Sequence, residues 1–332
     1  MTQFAICAAD VHEAARYISG AAVRTPLLEF APLNERAGHR VLVKFEAAQH
    51  TGSFKFRGAY NRLSRIPDAD KAAGVVAWSS GNHAQGIAAA AALLGIPATI
   101  VMPADAPAIK VANTRALGAE ILFYDRYTQS REEIAMALAR ERGAILVPSF
   151  DDPYIIAGQG TAGLEIIEQA AEIGVSIDRV FVCCGGGGLV AGIATAIKDS
   201  APHVEIYSVE PQDFDDTARS LFSGQRETVP ADARSICDAL LAPSPGALTF
   251  PINKALLTAG LCVTDDEVRA AMRFAFEAMK LVIEPGGAVA LAAVLEQRVP
   301  RTDGVSVVVV SGGNVDPDIY AGILRQCERR DE

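Results

Sequence analysis

Segments patterned as strands alternate with segments patterned as helices along nearly all of this 332-residue chain. Val41–Phe45 reads as a strand, and residues from about 54 to 65 as a helix. A strand at Gly74–Trp78 leads through Ser79-Ser80-Gly81-Asn82 into an alanine-rich helix ending near Gly95. Strands follow at 98–102, 119–124 and 144–147, separated by helices at 107–117 and 130–142. Later strands fall near 179–184, 204–209, 260–263 and 305–310, with an irregular Pro-, Asp- and Ser-rich excursion over 212–250. This spacing predicts an α/β fold of parallel sheets covered by helices on both faces. The length predicts two domains or lobes.

Bulk chemistry narrows the function. Half of the residues are hydrophobic and 21% are charged, as in a well-buried enzyme. A formal net charge of −10 offers no basic patch for nucleic acid or an anionic membrane. No apolar run reaches the length of a membrane span, and the N-terminus lacks a basic segment followed by a long apolar one. Six cysteines, at 7, 183, 184, 237, 262 and 327, show no CxxC spacing. The expectation is a cytoplasmic protein with reduced, mostly buried thiols.

Four consecutive glycines, Gly185 to Gly188, join the strand at 179–184 to a helix at 189–198. A turn without side chains lets backbone N–H groups converge at a helix N-terminus, which makes a seat for a phosphate. Two readings compete for it. Gly186-x-Gly188-x-x-Ala191 with Glu210 at the end of the next strand fits a dinucleotide fingerprint, and hence an NAD-dependent oxidoreductase. That reading leaves three other features without work.

The first is Lys55, between Phe54 and Phe56 in the first turn of a helix. A positive helix end and aromatic bulk push an ammonium toward the neutral amine, the form a Schiff base requires. The second is the polar turn Ser79-Ser80-Gly81-Asn82-His83-Ala84-Gln85-Gly86, and the third is Ser311-Gly312-Gly313-Asn314. Both sit at the C-terminal edges of strands, where α/β sites form. Glu210 with Asp213, Asp215 and Asp216 adds a dense set of carboxylates suited to Mg²⁺ or Ca²⁺, or to capping a helix.

Taken together these segments resemble the fold-type II pyridoxal-phosphate enzymes, within them the serine/threonine dehydratase and serine racemase family. The matching stretches include Arg24-Thr-Pro-Leu27, Lys44-Phe-Glu46, Thr51-Gly-Ser-Phe-Lys55 with Arg57-Gly58, and Ser80 to Gly86. They continue through Lys110, Ala157-Gly-Gln-Gly-Thr161, Gly185 to Leu189, Glu284-Pro-Gly286 and Ser311 to Asp316. The resemblance implies that Lys55 carries the cofactor and, once displaced, removes the substrate Cα proton. It implies that Phe54 packs on the pyridine ring, Asn82 bonds its phenolic oxygen, Gly185, Gly186, Gly187 and Gly188 bind its phosphate, and Ser311 meets its nitrogen. Ser80 would act from the opposite face. Ser79, Ser80, Gly81, Asn82 and His83 would bind the substrate carboxylate. Glu210, Asp216 and the main-chain carbonyl of Phe214 would hold Mg²⁺ or Ca²⁺.

Tyr124-Asp-Arg-Tyr127 with Arg131 resembles the serine racemase and hydroxyaspartate dehydratase side of the family, where Arg131 would pair with a second substrate carboxylate. Arg131 reads equally as a helix-surface partner of Glu132 or Glu133. Cys237-Asp238-Ala239 departs from the family's usual Ala-Asp-Gly, setting a methyl beside the cofactor ring. The expected reaction is deamination of L-threonine or L-serine to a 2-oxo acid and ammonia. The alternatives are elimination from threo-3-hydroxyaspartate and racemisation of serine on the same site, with a non-catalytic cofactor-binding protein more remote. The expected architecture is a large lobe (1–64 and 150–332), a small mobile lobe (65–149), no C-terminal regulatory domain, and a homodimer.

Overall fold

The computed structural model describes residues 4–325 except 80, 107 and 126, so the readings that rest on Ser80, Pro107, Arg126 and Cys327 lie outside the described residues. Among the described residues ten strands build two sheets. Strands β1 (Leu27–Glu29), β2 (Val41–Phe45), β7 (Arg179–Cys183), β8 (Glu205–Pro211), β9 (Ala259–Val263) and β10 (Ser306–Val310) form the larger sheet. Its order is β1-β2-β10-β7-β8-β9, parallel throughout except for β1, which pairs antiparallel with β2. Strands β3 (Val75–Trp78), β4 (Ala98–Pro103), β5 (Glu120–Tyr124) and β6 (Ile145–Leu146) form the smaller one, all parallel in the order β5-β4-β3-β6.

The strand compositions explain this burial. Val307 to Val310 and Val41 to Val43 are buried on both faces of the sheet, as β-branched runs in a parallel sheet must be. Among the described residues no helix is long and apolar enough to cross a membrane. Cys183, Cys184 and Cys237 are buried free thiols and Cys262 is partly buried, as expected of mostly buried thiols, whereas Cys7 is exposed.

The helix Lys55–Leu63 joins the two sheets. Its apolar residues Phe56, Ala59 and Leu63 pack into the core beneath the smaller sheet. Its opposite side meets the long helix Pro153–Glu172, which starts where Asp152 accepts hydrogen bonds from the Tyr154 and Ile155 N–H groups. The two helices touch at Gly58 and Gly158, where a Cβ on Gly158 would lie 2.6 Å from the Gly58 Cα. This contact accounts for glycine in the 157–161 motif.

Between these elements lies a buried ionic network. The Arg57 guanidinium donates from Nε to Glu46 Oε2 (2.8 Å) and from Nη2 to Glu46 Oε1 (2.9 Å). From Nη1 it donates to Glu165 Oε1 (2.6 Å), and Lys44 Nζ donates to Glu165 Oε2 (2.6 Å). The Arg57 and Glu46 side chains are wholly buried. Burial opposes both charges. Even so, the neighbouring carboxylates raise the Arg57 pKa, and Arg57 holds the Glu46 carboxyl low.

Arg57→Leu would leave two buried carboxylates short of a partner. Chemical denaturation should show a loss of about 3–5 kcal/mol. A loss below about 1 kcal/mol would mean that the network does not hold the helix.

Candidate active site

The C-terminal ends of β3, β7 and β10 converge on one cavity of about 180 Å³. Its wall includes Phe54, Lys55, Ser79, Gly81, Asn82 and His83, all four glycines of the 185–188 turn, and Ser311. The structure thus brings together every described residue singled out for the cofactor.

The glycine turn leaves β7 and caps the helix Gly188–Ser200 through Gly187, whose φ of +89° favours glycine. A Cβ on Gly186 would run into the Phe150 ring, and one on Gly187 would lie 2.6 Å from Asn253 Nδ2. The Gly186 carbonyl accepts from Thr249 Oγ1 (2.7 Å) and the Gly246 N–H (3.1 Å), and the Gly187 carbonyl accepts from Asn253 Nδ2. In a trans peptide the N–H points opposite to the carbonyl. The N–H groups of Gly187 and Gly188 therefore point away from the 246–253 segment. The first N–H groups of a helix have no partner within it, so the turn presents donors and a positive helix end.

Lys55 is set against this turn by backbone pairing. The Phe54 N–H donates to the Ser311 carbonyl (3.0 Å), the Gly313 N–H to the Gly52 carbonyl (2.9 Å), and Ser53 bridges to Gly312. The Lys55 Nζ donates to the Ser149 carbonyl at 2.8 Å and lies 5.1 Å from the Phe54 ring centre. Burial pushes its pKa down to about 8, against the opposing pull of Cys183 and Glu284. The amine is therefore neutral in good part near pH 8. Helix position and aromatic neighbours anticipated the direction, but desolvation is the main cause.

Asn82 and His83, which open the helix after β3, are firmly held. Asn82 Nδ2 donates to Glu284 Oε1 (2.6 Å), and Asn82 Oδ1 accepts from Asn314 Nδ2 (2.8 Å). Asn314 Nδ2 also donates to the Thr51 carbonyl (2.7 Å). His83 Nε2 bonds the Val147 carbonyl (3.0 Å). Burial, helped by the Lys55 charge, pushes His83 down to about 3, so it is neutral at physiological pH. Glu284 is driven the other way: burial, with Asp238 acting in the same direction, raises it to about 8 against Asn82, Lys110 and Lys55. Sequence reasoning gave no role to Glu284, Asn314 or Ser149. Glu284 and Asn314 stood within recognised motifs, but a main-chain carbonyl such as that of Ser149 leaves no sequence signal.

Arg131 is on the cavity wall, but its Nε donates to the adjacent Glu132 (2.9 Å) and the pair is nearly half exposed. The methyl of Ala239 faces Gly286, where a Cβ would come within 3.1 Å of it, so glycine at 286 accommodates the departure at 239. Glu210 is wholly buried and accepts from the Thr217 and Ala218 N–H groups. It caps the helix Asp216–Ser223 instead of facing the glycine turn, as a dinucleotide fold would need. Burial pushes Asp216 up to about 7, and Glu210 well above the usual carboxylate range with Asp216 adding to the effect. Asp216 Oδ2 is buried without a hydrogen-bond partner. No group of three or more His, Cys, Asp or Glu side chains among the described residues is arranged for a metal.

The pyridoxal-phosphate dependent enzyme family matches residues 18–312. The chain belongs to that family. Its relatives include an L-threo-3-hydroxyaspartate ammonia-lyase from Pseudomonas sp., 45% identical over 95% of this chain and 98% of the relative. A serine racemase from Schizosaccharomyces pombe is 40% identical over 96% of this chain and 97% of its own length. Among solved structures, the threonine deaminase of T.th. superposes with a TM-score of 0.88 at 43% identity, covering 94% of this chain and 99% of the other. The fold is thus that of the fold-type II members, and the oxidoreductase alternative falls. The residues present fit the family's cofactor: a glycine turn packed so tightly that added Cβ atoms would meet Phe150, Asn253 or Leu240 lines one cavity with a lysine whose pKa burial has lowered.

In this pyridoxal-phosphate dependent enzyme, capture of added cofactor by the apo-protein should follow the fraction of neutral Lys55. If Lys55 is the capturing residue, the rate should rise with pH through a midpoint near 8. Stopped-flow absorbance checks this, and a midpoint near 10.5, the ordinary lysine value, would contradict the desolvation argument.

Proposed function

We propose that this protein is an ammonia-lyase that converts a β-hydroxy amino acid, L-threonine or L-serine, to a 2-oxo acid and ammonia. The observation carrying this reading is the Lys55 amine, lowered to about 8, on the wall of the cavity that the glycine turn also lines. When bound, the cofactor supplies an electron sink for the charge left at Cα. Lys55 removes the Cα proton, a task suited to an amine whose pKa lies near the working pH. Gly185 to Gly188 hold the phosphate through backbone N–H groups, Phe54 packs on the ring, Asn82 donates to the ring oxygen, and Ser311 meets the ring nitrogen. Ser79, Gly81, Asn82 and His83 bind the substrate carboxylate at a helix N-terminus. His83, neutral at all physiological pH values, does not act as the acid. Ser80, assigned by its motif alone, acts from the opposite face and is the residue through which racemisation would run.

The segment 65–149 carries the smaller sheet and closes over substrate, excluding water from the reacting carbon. The remaining segments, 1–64 and 150–332, form the large lobe. Glu210, Asp216 and the Phe214 carbonyl hold Mg²⁺ or Ca²⁺. The support is the unpartnered buried Asp216 Oδ2 and two carboxylates pushed up by burial, which a divalent cation with oxygen ligands would relieve. The protein acts as a homodimer, as its family resemblance implies, and in the cytoplasm, where its reduced thiols fit.

A second reading, elimination from 3-hydroxyaspartate, is favoured by Arg131 on the cavity wall, where a guanidinium can fork onto a second carboxylate. The Pseudomonas relative's name points the same way.

The test is release of 2-oxo acid from L-threonine, L-serine and L-threo-3-hydroxyaspartate, with Mg²⁺ and after chelation. Holoenzyme should release product from at least one and slow on chelation, while Lys55→Ala should lose about 10³-fold or more. If 3-hydroxyaspartate is the substrate, Arg131→Leu should raise its KM roughly 10- to 100-fold and leave L-serine nearly unchanged. Silence on all three substrates from protein carrying its cofactor would overturn the proposal.

A further inference from the structure

Asn82, Asn314, Thr51 and Glu284 form a directional chain of hydrogen bonds. It begins at a backbone carbonyl, that of Thr51, which only accepts. Thr51 holds a left-handed conformation (φ 59°) unusual for a branched residue, followed by Gly52 at φ 71°. A Cβ on Gly52 would lie 2.7 Å from Asn314 Oδ1, so the strained turn and the Asn314 amide are fitted to each other.

Asn314 uses its amide nitrogen to donate both to the Thr51 carbonyl and to Asn82 Oδ1. With Asn82 Oδ1 so committed, the Asn82 nitrogen must face Glu284, whose Oε1 accepts one of its two N–H bonds. An amide flip at Asn82 would set oxygen against oxygen at Glu284 and nitrogen against nitrogen at Asn314. Glu284 is itself held. Its backbone N–H donates to the Gly312 carbonyl (3.1 Å), and its carbonyl accepts from the Gly287 N–H (3.0 Å). The Glu284 side chain is almost wholly buried. Since Asn314 fixes the Asn82 nitrogen toward Glu284, a neutral Glu284 carboxyl still accepts at Oε1 with its hydrogen on the other oxygen.

We infer that Glu284 is a positioning residue for Asn82: with Asn314 it locks the Asn82 amide so that its remaining N–H, a donor, is turned to the group bound in the cavity. This rests on the proposal that pyridoxal phosphate binds there, and it adds a requirement. The atom opposite Asn82 must be an acceptor, such as a ring oxygen carrying negative charge. Glu284 also lines the cavity, so the test must separate a direct contact with the bound group from action through Asn82.

A double-mutant cycle on cofactor binding tests this. The dissociation constant of pyridoxal phosphate and the position of the visible absorption band would be measured for wild type, Asn82→Ala, Glu284→Leu and the double variant. Glu284→Gln is included because its amide oxygen can still accept from Asn82. Circular dichroism would establish that each variant is folded. Glu284→Leu should weaken binding about 10-fold and shift the band, the scale of one charge-assisted hydrogen bond. Glu284→Gln should stay within about 3-fold of wild type. In the Asn82→Ala background, Glu284→Leu should cost almost nothing further. An equal loss in both backgrounds would overturn the inference, because Glu284 would then act on the fold or directly on the bound group and not through Asn82. Tight binding by Glu284→Leu with an unshifted band would overturn it as well. Wild type that takes up no pyridoxal phosphate would overturn the cofactor reading together with this one.

Discussion

The forked contact between Arg57 and two buried carboxylates is the constraint on which the rest of the site depends. Arg57 sits two residues after Lys55 on the same short helix, so whatever fixes its guanidinium also fixes the lysine. Two cations, Arg57 and Lys44, balance two acids, the wholly buried Glu46 and the partly buried Glu165. Such a network adds little net stability compared with an apolar core, but it tolerates one arrangement and penalises partial loss severely. What it contributes is placement. The helix is pinned to the larger sheet through Glu46 and to the long helix through Glu165, while Phe56 and Leu63 bury its other face beneath the smaller sheet.

That placement sets the electrostatics of the cavity. The buried groups there are moved toward their neutral forms: Lys55 and His83 down, Glu284 and the Cys183 thiol up, the last to about 12. The glycine turn supplies the opposite quality, an array of backbone dipoles with no side chain. Buried groups held toward neutrality beside one directed donor surface suit a ligand that brings its own charge, as a phosphate ester does.

The sequence carried the architecture well because parallel strands with β-branched interiors are legible as runs, and their C-terminal turns as clusters of small and polar residues. Lys55, Asn82, Ser311 and the four glycines stand on such turns, and the fold brings all of them to one cavity. Glu284 was less legible: its partner lies 202 positions away, and its identity as a buried acid depends on a contact that no local pattern encodes. The antiparallel β1 also escaped notice, since three residues make too short a period to read. Arg131 was readable only as an ambiguity, and the structure keeps both sides of it, a cavity wall and an exposed neighbour, Glu132.

The most direct test is to load the protein with pyridoxal phosphate, reduce it with borohydride, and map the modified peptide by mass spectrometry. A single reduced adduct on Lys55, with loss of the visible band, is the expected result. An adduct distributed over surface lysines, or one confined to Lys44 or Lys110, would contradict the claim that the Arg57 network and burial single out Lys55.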